Sequence, residues 1–246
     1  MKIKNLHKFL ALSIAVLLMF SILAGCGSQQ ASQSKNQGES NAGEASGDKI
    51  VIGVYEPMTG ASAAGGQMTV EGIELAKEMF PEVLGKRVEL SIQDNKTDKT
   101  EAANAVSRLI ERDKVQVIIG SYGSSLSMAG GQVAKDMGVP VIGCSPTNPL
   151  VTLNNDYYFR VCFIDPFQGT VMAKYAVNTL NAKKAAMIMD VSNDYSVGLC
   201  NYFREAFIAL TGDANAIVAE AKYKTGDQDF TAQLTNIKDL APDVIF

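Results

Sequence analysis

The sequence predicts an α/β fold of two lobes, each a parallel sheet flanked by helices, behind a leader and a tether that take no part in it. From Lys49 onward, apolar runs of strand length alternate with segments of helical spacing, the pattern of βαβ units. The alternation reaches a proline-bearing seam near Cys162–Pro166 and then starts again. Before Lys49 lie only a short apolar stretch and a run of small polar residues.

The leader comprises residues 1–25. Met1–Lys8 is short and basic, and Phe9–Ala24 is apolar apart from Ser13 and Ser21. That is shorter than the ~20 residues a spanning helix needs, and it fits a signal-peptide core. It ends in Leu23-Ala24-Gly25-Cys26, small residues running into a cysteine. This resembles the bacterial lipobox, whose cysteine is acylated and becomes the mature N-terminus. The blander alternative is an ordinary signal peptide that happens to hold a cysteine; the flanks and the polar stretch that follows favour lipidation. Residues 26–48, rich in Ser, Gln, Gly, Asn and Ala, carry no large apolar side chain and read as a lipidated flexible tether with a reach of about 25 Å.

Charge and composition remove several functions. Formal charge is −4, but three of the 22 basic residues (Lys2, Lys4, Lys8) sit in the leader, leaving 19 against 26 acidic and a net −7. That balance argues against a nucleic-acid partner. The only histidine, His7, is also in the leader, so the mature chain has no Ser-His-Asp or Cys-His mechanism and no His-ligated metal. No metal and no cofactor is expected. Of the remaining cysteines, Cys144, Cys162 and Cys200 are odd in number and lack CxxC spacing, so no structural disulfide is expected. Cys144 and Cys162 lie in apolar runs and read as small buried hydrophobes.

Element by element, Ile50–Tyr55 is a strand, Thr69–Met79 a helix by the spacing of Val70, Ile73, Leu75, Ala76 and Met79, and Arg87–Gln93 an alternating strand. Asp98 with Glu101 has capping-box spacing and opens a helix to Arg112. Val115–Gly120, Val139–Gly143 and Tyr157–Val161 read as strands, and Ser124–Met137 as the helix between the first two. The second series is helix Asp165–Leu180, strand Ala185–Asp190, helix Tyr195–Leu210, strand Ala216–Tyr223 and helix Asp229–Leu240. Val244–Phe246 starts a further strand and the sequence stops there. Lobe one is therefore expected over residues 49–163 and lobe two, truncated at its C-terminus, over 164–246.

In open α/β sheets ligands bind beyond the carboxyl ends of the strands. Four loops qualify: Glu56–Gly66, Ser121–Ser125, Cys144–Pro149 and Val191–Tyr195. The second and third offer hydroxyls and free backbone N–H groups without a charged side chain, a seat for an anion such as a carboxylate. Ser124 is equally read as an N-cap, and Ser145 and Thr147 as members of a proline-bracketed turn. Enzyme motifs fail: Ser124 lies outside any GxSxG, no GxGxxG follows a strand, and Gly85-Lys86 has Phe80 where a phosphate-binding loop needs glycine. Asp94 and Asp98 flank one loop, where such acids are usually solvated or capping.

The ordered set of stretches resembles type I periplasmic binding proteins of ABC importers, in the branch of the leucine/isoleucine/valine-binding proteins. The matching residues are Ile52-Gly53 with Met58-Thr59-Gly60, Gln93–Asp98, Ile119–Ser125, Ser145–Pro149, Asp165–Gly169 and Asp190–Tyr195, spanning Lys49 to Phe246. The resemblance implies the two-lobe type I fold. It also implies that Ser124 binds a ligand carboxylate, that Ser145 and Thr147 hold the α-carboxylate and α-ammonium, and that Tyr195 closes over the ligand. The family's first loop often supplies an aromatic near the side-chain pocket; here that position is Gly65, which would leave the pocket more open. An acidic residue and another aromatic that the family uses later in lobe two fall beyond Phe246.

The implied function is a non-enzymatic extracytoplasmic receptor, lipid-anchored to the cell membrane by Cys26 and monomeric when full length. It would capture a branched-chain or other apolar amino acid by hinge closure and deliver it to ABC permease transmembrane subunits. A sensory ligand-binding domain without transport, or a tethered hydrolase, are the alternatives. Cys26→Ser is expected to release the protein from the membrane fraction or leave unprocessed precursor. Fractionation and lipid labelling identical to wild type would refute the anchor.

Overall fold

A computed structural model describes residues 49–246. Cys26 and the leader and tether expected over residues 1–48 lie outside the described residues. The first sheet contains β1 (Lys49–Glu56), β2 (Glu82–Val83), β3 (Lys86–Asp94), β4 (Val117–Gly120), β5 (Val141–Gly143) and β6 (Tyr158–Arg160) in the order β2-β3-β1-β4-β5-β6. Every pair is parallel except β2 with β3. The second sheet is β8-β7-β9, built from β7 (Ala185–Asp190), β8 (Ile217–Tyr223) and β9 (Val244–Ile245), also parallel. This is the mixed α/β architecture with flanked parallel sheets that the alternation predicts.

Side chains alternate across a strand, so neighbouring residues of β1 serve opposite faces. Tyr55 packs with α2 (Lys99–Glu111) and α3 (Ser124–Asp136), in a core of Ala102, Val106, Leu109, Ile118 and Leu126. Val54 points the other way, into Val70 and Ile73 of α1 (Ala63–Met79). Among the described residues one face therefore carries two helices and the other only α1. On that second face an apolar hollow of about 590 Å³ opens between α1 and the sheet, with Ile52, Leu90, Ile119 and Ile142 along its floor. Met68 and Phe80 at its rim are 66% and 65% exposed.

The second sheet packs against α4 (Asp165–Lys174), which runs on through a π turn (Tyr175–Thr179), and α5 (Asp194–Thr211). Phe203 is the centre of this core, and the Phe246 ring stacks on it with centroids 4.0 Å apart. The last helix, α6 (Thr231–Leu240), leads into β9. Cys144, Cys162 and Cys200 are free thiols; Cys200 is buried, whereas Cys144 and Cys162 are only half-buried. Among the described residues no helix is long and apolar enough to cross a membrane.

Two local features differ from the sequence expectation. The short strand β2 was hidden because its hairpin turns at Leu84 (φ 54°) and Gly85 (φ 73°), a tight turn that leaves only two residues to pair. Helix α1 begins at Ala63, a turn and a half before the expected Thr69. Gly65 and Gly66 lower helix propensity there, but close approach requires them. A carbon on Gly66 would fall 2.1 Å from the Pro57 carbonyl oxygen.

Gly66→Ala is thus expected to destabilise the fold by about 1–3 kcal/mol, the range for overpacking. Gly72, exposed in the same helix with nothing within 4 Å of an added carbon, should instead gain roughly 0.5–1 kcal/mol on change to Ala. Denaturant unfolding of both variants checks the contrast; equal effects would refute the packing account.

Candidate functional site

The chain passes from β1 through α1 to β3 on one side, then through α2 to β4 on the other side of β1. The loops after β1 and β4 therefore diverge, opening a crevice at their carboxyl ends. A cavity of about 470 Å³ lies there, and Ser124, Ser145, Thr147 and Tyr195 all line it. Four residues singled out from separate loops are thus brought together. Ser62, Tyr122, Gly123, Phe163, Gln168 and Asn193 complete the wall, and no charged side chain is among them.

Ser124 is the first residue of α3, not its cap. The cap position is Gly123, at φ 95°, and no side chain caps the helix. Buried at 1% exposure, the Ser124 hydroxyl accepts the Asn148 N–H at 3.1 Å and so ties the two loops together. The first amides of α3 are left facing outward from an uncapped helix end. The Ser145 hydroxyl oxygen is buried without a hydrogen-bond partner, a donor and acceptor still unspent. Thr147 is buried beside it, and its carbonyl accepts the Asp165 N–H at 2.9 Å.

Two residues that sequence reasoning missed set the shape of the third loop. Arg160, at the end of β6, donates to the carbonyls of Pro146 (3.0 Å), Asn148 (2.9 Å) and Pro149 (3.3 Å) and to Thr152 Oγ1 (2.7 Å). Asn148 caps the 3₁₀ turn Pro149–Val151 through Oδ1 and donates from Nδ2 to the Asp194 carbonyl at 2.8 Å. The Asn-Pro pair is a turn signal that would have marked the cap, but no sequence pattern marks the reach to Asp194. Asp165 is fully buried beneath this loop, and burial raises its pKa against the Thr147 hydroxyl and the Arg160 guanidinium.

Tyr195 enters from the first turn of α5. Its N–H is capped by Asn193 Oδ1 at 3.0 Å, and its hydroxyl accepts from Gln168 Nε2 of α4, also at 3.0 Å. Beside it, Asp194 accepts from Ser125 Oγ (2.7 Å) and Lys99 Nζ (2.8 Å), residues of the first sheet's helices. Asp94 clasps the first loop through the N–H groups of Met58 (2.9 Å) and Thr59 (3.2 Å). Desolvation would raise its pKa, but the Thr59 hydroxyl and three backbone N–H groups outweigh it, and the pKa is lowered. Asp98 caps α2 through the Glu101 N–H at 2.9 Å, the capping role expected of it.

The loop after β4 is held from below. Glu56 Oε2 accepts the Tyr122 N–H at 2.6 Å, Asn95 Nδ2 donates to Ser121 Oγ at 2.8 Å, Ser127 Oγ donates to the Ser121 carbonyl at 2.8 Å, and the Tyr158 hydroxyl donates to the Gly120 carbonyl. Glu56 is fully buried and Oε1 has no partner. Desolvation, opposed only by the Tyr122 amide, pushes its pKa to about 8. Gly65 does not leave the pocket open as expected, because the Tyr122 ring lies against its Cα and takes the space. Among the described residues no group of three or more His, Cys, Asp and Glu could hold a metal.

Comparison with known proteins identifies the family and the fold. The family model described as periplasmic binding protein matches residues 49–246. An amino acid binding protein of Pseudomonas aeruginosa is 31% identical over 204 residues, covering 80% of this chain and 53% of the relative. The crystal structure of a leucine binding protein, LivK, from Thermotoga maritima superposes with TM-score 0.76 at 45% identity, over 80% of this chain and 55% of that one. The branched-chain amino acid transporter substrate binding protein LivJ of Streptococcus pneumoniae, solved with isoleucine, gives TM-score 0.73 at 34% identity, over 80% and 56%. The chain spans about half the length of the curated relatives it matches.

The raised pKa of Glu56 makes stability fall with pH. The unfolded carboxyl releases its proton near 4.5, whereas the folded one keeps it to about 8. Between those values the native state binds the extra proton, so stability is full below the lower value and drops by up to about 1.4 kcal/mol per pH unit towards the higher. Glu56→Gln keeps an acceptor for the Tyr122 amide and cannot titrate. The stability of the wild type relative to the variant is therefore expected to fall as pH rises from 5 to 8; a difference that stays constant would refute the assignment.

Proposed function

This chain belongs to the periplasmic binding protein family, and on that premise we propose that it is the extracytoplasmic solute receptor of an ABC importer, taking a branched-chain or other apolar amino acid. The observation that carries the reading is a cavity with hydroxyls and uncapped helix amides at one end, aromatic rings on its walls and no charged lining. Ser145 Oγ, buried and unpartnered, is the hydroxyl whose hydrogen bonding a carboxylate completes. Amides at a helix N-terminus favour the same group. Aromatic faces from Tyr122, Phe163 and Tyr195 favour an apolar side chain beyond it.

In this reading Ser124, Ser145 and Thr147 form the polar seat on a first lobe, residues 49–163. Tyr195, held by Gln168, comes down from a second lobe, residues 164–246. Closing about the crossing near Cys162–Pro166 brings the two together. The ligand is bound and handed unchanged to permease transmembrane subunits, with Cys26 tethering the receptor to the outer face of the membrane. Binding without catalysis suits a family of substrate-binding proteins.

Calorimetry with leucine, isoleucine, valine, phenylalanine and a benzoate tests the reading. Ser145→Ala and Thr147→Ala are each expected to weaken amino-acid binding by about 1–3 kcal/mol, the range for hydrogen bonds to a charged group. Ser145→Ala should leave the melting temperature unchanged, since its hydroxyl loses no partner in the free protein, whereas Ser124→Ala should lower both affinity and stability by freeing the Asn148 amide. Unchanged affinity in all three variants would refute the seat.

A further inference from the structure

Gly65, in the first turn of α1, meets Tyr122, in the loop after β4, on the side of the ring behind the cavity wall that Tyr122 lines. A carbon added to Gly65 would lie 2.5, 2.6 and 2.7 Å from Cζ, Cε2 and Cε1 of Tyr122. Carbon atoms do not approach that closely, so the tip of the phenol ring occupies the volume a side chain at 65 would take. The other end of the tyrosine is fixed, because its N–H is held by the buried Glu56 carboxyl at 2.6 Å. Among the described residues no hydrogen-bond partner holds the phenol hydroxyl, and the residue is 40% exposed. Packing against the bare Cα of Gly65, not a hydrogen bond, therefore sets where the ring lies. The same ring lines the cavity two residues from Ser124.

We infer that the Gly65–Tyr122 contact sets the width of the cavity end that takes the ligand's side chain, and that Tyr122 is the residue selecting compact branched side chains over aromatic ones. The inference rests on the receptor reading above. A ligand carboxylate at Ser145 and the α3 amides directs the side chain along the Tyr122 ring. Any side chain at 65 drives that ring inward and narrows the space. Removing the ring while 65 remains glycine opens the space towards α1. A leucine at 65 facing an alanine at 122 refills it from the opposite wall.

Four proteins test this: wild type, Gly65→Leu, Tyr122→Ala and the double variant, each titrated with leucine and phenylalanine and each melted without ligand. Gly65→Leu is expected to lose about tenfold or more in leucine affinity, the scale of a misfit in an apolar pocket, and to lose melting temperature. The double variant should recover most of both. Tyr122→Ala alone should shift the leucine-to-phenylalanine ratio towards phenylalanine by about tenfold. If Gly65→Leu does not fold, Gly65→Ala carries the same clash in smaller form, and its melting temperature should rise when Tyr122→Ala is added. Selectivity unmoved by Tyr122→Ala, or a loss at 65 that the second substitution does not relieve, overturns the inference alone. A wild type that binds neither amino acid overturns the receptor reading and this inference with it.

Discussion

Everything at the cavity depends on the buried hydrogen bonds under the loop from Gly120 to Ser124. A loop carried into the interior must find partners for its backbone groups or lose free energy with each one left bare. Here the partners come from four separate places: Glu56 at the end of β1, Asn95 after β3, Ser127 in α3 and Tyr158 in β6. All four are neutral at pH 7, the glutamate because burial keeps it protonated. The loop from Gly120 to Ser124 is thereby fixed by neutral partners, and the nearby charged groups, Arg160, Asp165 and Asp194, serve other segments and do not line the cavity. An ionised group there would compete with an incoming carboxylate or demand one in its absence. A neutral support leaves the helix amides and the Ser145 hydroxyl as the dominant polar features the cavity offers.

The contacts that join the two sheets have a different character. Lys99 meets Asp194 at 2.8 Å, but both side chains are about half exposed, and such pairs contribute about 0–1 kcal/mol. Ser125 and Asn148 add hydrogen bonds to the same residue, each partly buried and modest in net worth. Among the described residues the two main clusters of buried apolar side chains belong to one sheet or the other, and neither spans the junction. The sites are rigid within each sheet and lightly joined between them. That is the mechanical condition for a hinge, because opening costs a few polar contacts and exposes little apolar surface.

The alternation of elements was legible because period and length separate strands from helices without tertiary knowledge, and Asp98 with Glu101 announced its helix start in the same local terms. The two-residue strand β2 was not, since so short a strand has no period. That Ser124, Ser145, Thr147 and Tyr195 line one cavity was legible only as an ordered resemblance, since the four share no local pattern with one another. The Arg160 fork and the reach of Asn148 to Asp194 had no signal for a further reason. Both donate mainly to backbone carbonyls, and a carbonyl has no residue identity to pair with. Ser124 shows the same limit, because a serine at a helix start suggests a cap and only the fold reveals that its oxygen is committed to Asn148.

Where the local reading failed, it failed in the direction of function. Gly65-Gly66 argued for a loop, since glycine disfavours a helix by about 1 kcal/mol per residue relative to alanine. The chain is helical there nonetheless, with Gly66 against the Pro57 carbonyl and Gly65 against the Tyr122 ring. A conflict between local preference and global structure persists only where something else requires it. One glycine is required by the backbone of its own loop, a matter of folding. The other is required by an aromatic side chain facing the cavity, which folding alone does not call for. Adjacent in sequence and alike in propensity, the two residues differ in what they touch: Gly66 meets the backbone of its own loop, and Gly65 the ring of a residue that lines the cavity.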